Sequence, residues 1–468
     1  MKLLKGTPRA RGLRGPSDER GAALLLAFLV MIVVIAITYQ IQTVTRTDAR
    51  VAQNEITEAQ MDLAIESALL QVLEDLAEDA RAAQAAEGDA GGAGGDPSAG
   101  GASDPAAGDP AASGAGAPAD NADAVDSQMD GWYTPASTNF GDLQLRILIR
   151  DEDSKFNVLN MLQPDEEAAE AAYEIVTRIL DNARAGTTYD ISPGEAQEMA
   201  RAMRQHLQER DTSVLPRTPL LSDSEEAPGQ GVALSFREFR GLEPFRDDHF
   251  FEGYDENGDR VHGIDAFLTV FTSPAMGEET PGAATATGGF AVNVNTAPRA
   301  VLDALLDRRV VSGRVWESIV DYRNEVEEVD PNEETEDIEP LLDEFGNEIL
   351  EKKIFDSLDE LEEVYDFKTL LDEEKAEVRK RLTVTSSVFE IIITARLPTQ
   401  REEDRRFEFE SRREQEEYYR SGAFLERTVR AVYWRAPGED DVTLVPLVRW
   451  EVLDSAPLQV LDLPDDRL

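Results

Sequence analysis

The chain contains no cysteine in 468 residues. Disulfides, CxxC metal sites and thiol nucleophiles are therefore excluded together. Histidine is nearly as scarce, with only His206, His249 and His262, and none has a metal-ligating neighbour at helical spacing. Positive charge is in deficit, since 46 Lys and Arg stand against 94 Asp and Glu, for a net charge of −48. That balance argues against a nucleic-acid partner, because phosphate binding needs a basic footprint. It favours a soluble, self-repelling surface. No grouping of nucleophile, base and oxyanion donors is visible, so the chain reads as a non-enzyme. Hydrophobic residues make up 41%, enough to bury the cores of two to three domains.

Two local absences are more informative. Charge is missing between Arg20 and Arg46, and glycine and proline are missing from Ala22 to Glu87. The uncharged stretch from Ala22 to about Ile41 is long enough to cross a bilayer, which takes about 20 apolar residues. Beyond it, Ile65, Leu69, Val72 and Leu76 recur at spacings of 4, 3 and 4. The whole of 22–83 is predicted to be one helix, membrane-spanning first and amphipathic later. Residues 1–21 carry Lys2, Lys5, Arg9, Arg11, Arg14 and Arg20 against Asp18 and Glu19, a balance of +4 that places them in the cytoplasm.

A secretory signal ends its apolar core in a small-residue cleavage site. Here the small residue, Gly21, comes before the core, and cutting there leaves the helix on the mature chain. This order of elements resembles the leaders of type IV pilins and type II secretion pseudopilins. The resemblance implies cleavage between Gly21 and Ala22 by a prepilin peptidase, with N-methylation of Ala22. In such proteins the fifth mature residue is usually glutamate, thought to pair with the amine of the previously assembled subunit. That position is Leu26 here. A lone carboxylate in the bilayer is costly, so its absence suits a subunit with no earlier neighbour.

Residues 84–127 are Ala, Gly, Asp, Pro and Ser in near-repeats and cannot bury a core, so they read as a disordered linker. Order resumes with the period-two strand Leu143-Gln144-Leu145-Arg146-Ile147-Leu148-Ile149, followed by Asp151-Glu152-Asp153-Ser154-Lys155-Phe156-Asn157-Val158-Leu159-Asn160. A second motif, Val292-Asn293-Val294-Asn295-Thr296-Ala297-Pro298, offers Asn295 or Thr296 as a helix cap and Pro298 for the first turn. Both motifs are similar to signatures of the type II secretion system protein K (general secretion pathway protein K) family, and Gly263 to Phe271 resembles that family's strand entry. The absent glutamate resembles the same family, whose members depart from the glutamate rule at the filament tip.

The two motifs also look like the starts of a duplication. Each is followed by two helices, near 165–186 and 193–209 in the first copy and near 298–307 and 311–327 in the second. Ser235-Phe236-Arg237-Glu238 and Ser357-Leu358-Asp359-Glu360 then stand at matching places as capping-box candidates. These units resemble SAM-like or helix-hairpin-helix modules, but their acidic loops are unsuited to DNA. Leu382 to Arg396 reads as one long strand, with 427–434 and 442–452 as two more.

The fold expected is α+β. A long N-terminal transmembrane helix packs on a pilin-like antiparallel sheet, and a duplicated helical domain is inserted in that sheet. The divisions are 1–21 leader, 22–83 helix, 84–127 linker, 140–160 first strand and turn, 161–380 helical insertion and 381–460 C-terminal strands, with a charged loop at 399–425. Asp255, Asn257 and Asp259 alternate as calcium ligands do, yet the full twelve-residue loop with its terminal glutamate is missing, so a solvated hairpin turn stands beside calcium as the reading. The acidic run 325–348 reads as a solvated loop.

The resemblance implies a minor pseudopilin at the tip of the periplasmic pseudopilus, anchored in the inner membrane by one span. Its implied partners are the other minor pseudopilins and the major pseudopilin, the prepilin peptidase, the inner-membrane assembly platform, and the secretin or exported substrates. The alternatives are an uncut membrane-anchored periplasmic adaptor and a minor pilin of a type IV pilus-like system.

Overall fold

The computed structural model describes residues 17–90, 125–163, 165–209, 235–250, 252–255, 257, 260–271, 291–325, 352–397, 425–436, 442–453 and 456–457. Residues 1–63 and 64–468 form two compact units.

The first unit is the start of α1 (Ser17–Ala90). Its stretch from Leu24 to Val44 is apolar and exposed, and the helix is long and apolar enough to cross a membrane. Threonines in and just beyond this stretch fold their hydroxyls back on the helix. Thr38 donates to the Val34 carbonyl at 2.8 Å, and Thr43 and Thr45 repeat the pattern on Tyr39 and Ile41. A polar donor is thereby satisfied where a bilayer offers no water.

The second unit begins within the same helix. Ala64, Ile65, Ala68, Leu69, Val72, Leu76, Ala77 and Ala80 are buried along one face. Burying each of the larger side chains contributes about 1.5–3 kcal/mol. Next come β1 (Ala136–Phe140) and β2 (Leu143–Asp151), joined through Gly141-Asp142, with Gly141 at φ 62°. Two-residue hairpin loops demand positive φ, which glycine adopts at no steric cost.

The insertion follows as β3 (Phe156–Asn157), α2 (Glu166–Asn182), α3 (Pro193–Glu209), β4 (Gly253–Tyr254), β5 (Arg260–Val261), β6 (Leu268–Thr269), β7 (Val292–Asn293), α4 (Arg299–Leu305), α5 (Gly313–Asn324), α6 (Tyr365–Lys368), α7 (Asp372–Arg379) and β8 (Leu382–Thr383). The chain then re-enters the main sheet through β9 (Val388–Leu397), β10 (Leu425–Ala436) and β11 (Thr443–Leu453). Strand order is β1-β2-β9-β10-β11, antiparallel throughout. The fold is therefore α+β, with a long N-terminal apolar helix and an antiparallel sheet.

Register sorts the sheet's two faces. Leu145, Ile147 and Ile149 stand opposite Ala395, Ile393 and Ile391, and Val429 and Ala431 extend the same face across β10. Leu145, Ile147 and Ile149 share a groove with Ala64, Ala68 and Val72 of α1, so this apolar face receives the helix. The other face carries Arg146, Arg150, Glu390, Thr394, Arg396, Thr428 and Arg430. Most of these are buried, with the insertion reaching them through Arg150 to Glu252 at 2.9 Å and Arg430 to Ser235 at 3.0 Å.

Inside the insertion the two copies match closely. Phe156-Asn157 pairs in parallel with Leu268-Thr269, and Val292-Asn293 pairs in parallel with Leu382-Thr383. The Asn157 side chain accepts from the Leu159 N–H at 2.8 Å, as Asn293 does from Asn295 at 2.9 Å. Thr269 Oγ1 accepts from the Phe271 N–H at 3.1 Å, and Thr383 Oγ1 from Thr385 at 3.2 Å. Each copy is a helical unit opened by an Asn strand and closed by a Leu-Thr strand.

Several local expectations need correction. Of the segment Gly263 to Phe271, expected as a strand entry, only Leu268-Thr269 forms a strand, paired with Phe156-Asn157. Leu382 to Arg396 is not one strand. It breaks at 384–387, where Asp126 accepts from the Ser386 N–H at 2.7 Å and Asp153 from the Ser387 and Val388 N–H groups at 2.6 and 3.0 Å. Those carboxylates supply the partners a sheet neighbour would otherwise provide. Asn295 and Thr296 do not cap α4, whose N-cap is Pro298. Ser235 accepts from the Arg237 N–H at 3.3 Å, whereas the Ser357 side chain makes no capping bond. Both precede 3₁₀ turns, Phe236–Gly241 and Leu358–Glu363. Strand β1, which has no strong alternation, went unforeseen, and α1 continues past 83 to Ala90.

Candidate functional site

The junction expected from the sequence to be a processing site lies on one continuous helix. Gly21 and Ala22 fall within the helical backbone of α1, and Leu26 is 66% exposed in the first unit. The leader up to residue 16 lies outside the described residues.

Of the three residues in the acidic loop, Asp255 is buried at the end of β4, Asn257 is exposed, and Asp259 lies outside the described residues. The Asp255 carboxylate accepts from the Asn257 N–H at 2.9 Å, from Asn257 Nδ2 at 3.4 Å and from the Thr188 N–H at 3.3 Å. Its oxygens close the turn between β4 and β5 and tie it to the loop after α2. The acidic run 325–348 falls almost wholly outside the described residues.

The two signature motifs, far apart in sequence, meet. Asp151 Oδ2 accepts from Thr296 Oγ1 at 2.5 Å and from Ser386 Oγ at 2.6 Å, while Oδ1 accepts from the Asp153 N–H at 2.8 Å. The Asn293 N–H donates to the Asp153 carbonyl at 2.9 Å, and Asn293 Nδ2 donates to the Asp126 carbonyl at 2.9 Å and to Ser386 Oγ at 2.8 Å. Asn295 reaches the second copy's later segment, exchanging two bonds with the Phe355 backbone at 2.9 and 3.0 Å. The junction thus pins the end of β2, the second copy and the entry to β9 on one buried knot.

Charge in this knot is crowded. Arg435 donates to Asp126 Oδ2 at 2.5 Å and lies 3.9 Å from Asp79 of α1. Asp79, Asp126 and Asp130 each bring an oxygen within 4.8 Å of the others. Burial pushes Asp126 up to about 7, against the pull of Arg435. Burial and the neighbouring Asp153 charge push Asp151 up to about 8. Both carboxylates are held by the hydroxyl, amide and guanidinium donors just named.

A second buried network sits on the charged face of the sheet. Glu390 Oε1 accepts from Arg430 at 3.1 Å, and Oε2 faces Lys155 at 3.5 Å and Arg150 at 3.7 Å. Burial alone would raise the Glu390 carboxyl, but Lys155, Arg430 and Arg150 together outweigh it and hold it down to about 2. Lys155 also pairs with Glu152, which accepts from Thr269 of β6. Lys155 and Glu152 belong to the first signature. Their partners Glu390 and Arg430 were not singled out from sequence, since a charged residue at an inward strand position was the only signal.

No protein-family model matches the chain, and no curated protein matches it. Among solved structures the chain is similar to the crystal structure of the GspK-GspI-GspJ complex from the enterotoxigenic Escherichia coli Type 2 Secretion System, at 10% identity and a TM-score of 0.40, covering 71% of this chain and 88% of that one.

Proposed function

We propose that this protein is a minor pseudopilin at the tip of a type II secretion pseudopilus. The observation that carries the reading is a basic leader and Gly21 placed directly before an apolar run, inside one unbroken helix. That helix is apolar and exposed from Leu24 to Val44 and buried along one face from Ala64 to Ala80 within an α+β domain. In this reading the prepilin peptidase cuts after Gly21 and methylates Ala22, and the anchored helix lies in the inner membrane with the bulk of the chain in the periplasm. The absence of a carboxylate at Leu26 and the bulk of the duplicated insertion between β2 and β9 both suit a terminal subunit. Sister pseudopilins, the assembly platform and the secretin are then the working partners. The Asp255 loop is read as a hairpin turn, because its carboxylate already holds three donors.

The test is the intact mass and N-terminal sequence of the protein from membranes with and without a prepilin peptidase. A mature chain that begins at Ala22 only when the peptidase is present supports the reading. A chain that keeps Met1 in both strains sinks it and leaves the uncut adaptor. Co-purification with pilus subunits instead of secretion subunits selects the pilus-like alternative.

A further inference from the structure

We propose that the groove between α1 and the outer edge of β1 receives an extended, lysine- or arginine-bearing segment of a partner protein, which joins the sheet as a strand beside β1. The proposal does not depend on the secretion reading. Three observations converge on it.

The groove has a volume of about 660 Å³ and is floored by apolar side chains, with Ala64, Ala68 and Val72 on the helix side and Trp132, Leu145 and Phe140 on the sheet side. Phe140 is 45% exposed at the end of β1.

β1 is terminal in the sheet, and among the described residues nothing pairs with its outer edge. Open edges are templates for another strand unless charge or proline blunts them. The opposite edge, β11, carries Pro446, Arg449 and Glu451, whereas Ala136-Ser137-Thr138-Asn139-Phe140 carries neither charge nor proline. One edge is guarded and the other is not.

The rim is acidic. Asp75 and Asp79 line the groove, Glu74 and Glu78 are exposed on the same stretch of helix, and the nearest cation on that helix, Arg81, is engaged by Glu74 at 3.4 Å. Arg435 faces Asp79 from the sheet, leaving Asp75 at the mouth. A second copy, itself at −48, would be repelled there, while a basic strand would be attracted. Strand addition takes its affinity from main-chain hydrogen bonds and its specificity from alternate side chains. Only alternate side chains of the added strand face α1, so those positions would carry apolar groups into the groove and one basic group to Asp75 at its mouth.

The experiment uses the full chain in detergent micelles with two synthetic peptides of alternating valine and threonine, one with lysine and one with glutamate in place of a single valine on the face that enters the groove. Binding is read by fluorescence anisotropy and the site by amide hydrogen exchange. The expected result is binding of the lysine peptide with slowed exchange at 136–140, with the glutamate peptide and the Asp75→Lys variant each at least about tenfold weaker. Asp75 is exposed, and an unchanged Tm shows that the variant is folded. Equal binding of both peptides overturns the proposal. So does unchanged exchange at β1, protection confined to α1, or concentration-dependent dimers that block the groove.

Discussion

Asp151 and Thr296 lie 145 residues apart in sequence and 2.5 Å apart in space, joining the first signature to the second. The pair sits in a shell where Ser386 and the Asp153 N–H complete the Asp151 acceptor set. Thr296→Val should therefore cost about 1–3 kcal/mol by leaving a buried acceptor short of a donor. In a double-mutant cycle with Asp151→Asn, denaturant unfolding should give a coupling of about 0.5–3 kcal/mol. Additive single costs would mean that the two side chains act independently.

Stability should fall as pH rises from about 5 to 8. Asp126 and Asp151 titrate at about 7 and about 8 in the folded chain, above the ~3.9 of an unfolded aspartate. In that window the folded state holds more protons than the unfolded state, so raising pH favours unfolding. Thermal melts should show Tm declining by at least about 3 °C over this range. Asp126→Asn should flatten the decline, and a profile identical to the parent's would refute the assignment.

Glu390 sets the acid limb. Its folded value of about 2 lies below the ~4.3 of an unfolded glutamate, so its contribution is present above about pH 4 and is lost as pH falls toward 2. Glu390→Gln leaves Arg430, Lys155 and Arg150 without their shared carboxylate and should cost about 3–5 kcal/mol. Replacing Glu390 and Arg430 together with methionine should be milder than the single change. A double variant worse than Glu390→Gln alone would show that the pair stabilises beyond mutual neutralisation.

Leu76 is fully buried where α1 enters the second unit. Leu76→Ala should lower stability by about 2–5 kcal/mol. Leu70→Ala, at an exposed position six residues earlier, should stay within about 0.5 kcal/mol of the parent in the same unfolding measurement. Equal effects would place the helix face elsewhere.

Much of this fold was legible in one dimension. The uninterrupted helix followed from the lack of glycine, proline and charge, and the stripe from Ile65 to Leu76 named the face that is buried. Period-two alternation located β2, and the Asn motifs located both helical copies, because these are local preferences of the backbone. The closing strands Leu268-Thr269 and Leu382-Thr383 were harder to read, since a two-residue strand has no period and is defined by its partner.

Other features existed only once distant segments met. Asn295 and Thr296 had the chemistry of helix caps, and the competing partners Phe355 and Asp151 drew them inward. The break before β9 came from Asp126 and Asp153, carboxylates with no local reason to reach Ser386 and Ser387. By itself the sequence determined the membrane-length helix, the acidic charge balance and the absence of thiol chemistry, because composition and periodicity act locally. Which carboxylates are buried, which cations answer them and which sheet edge stands open were decided by the tertiary structure. Burial and charge pairing depend on distances that only the folded chain sets.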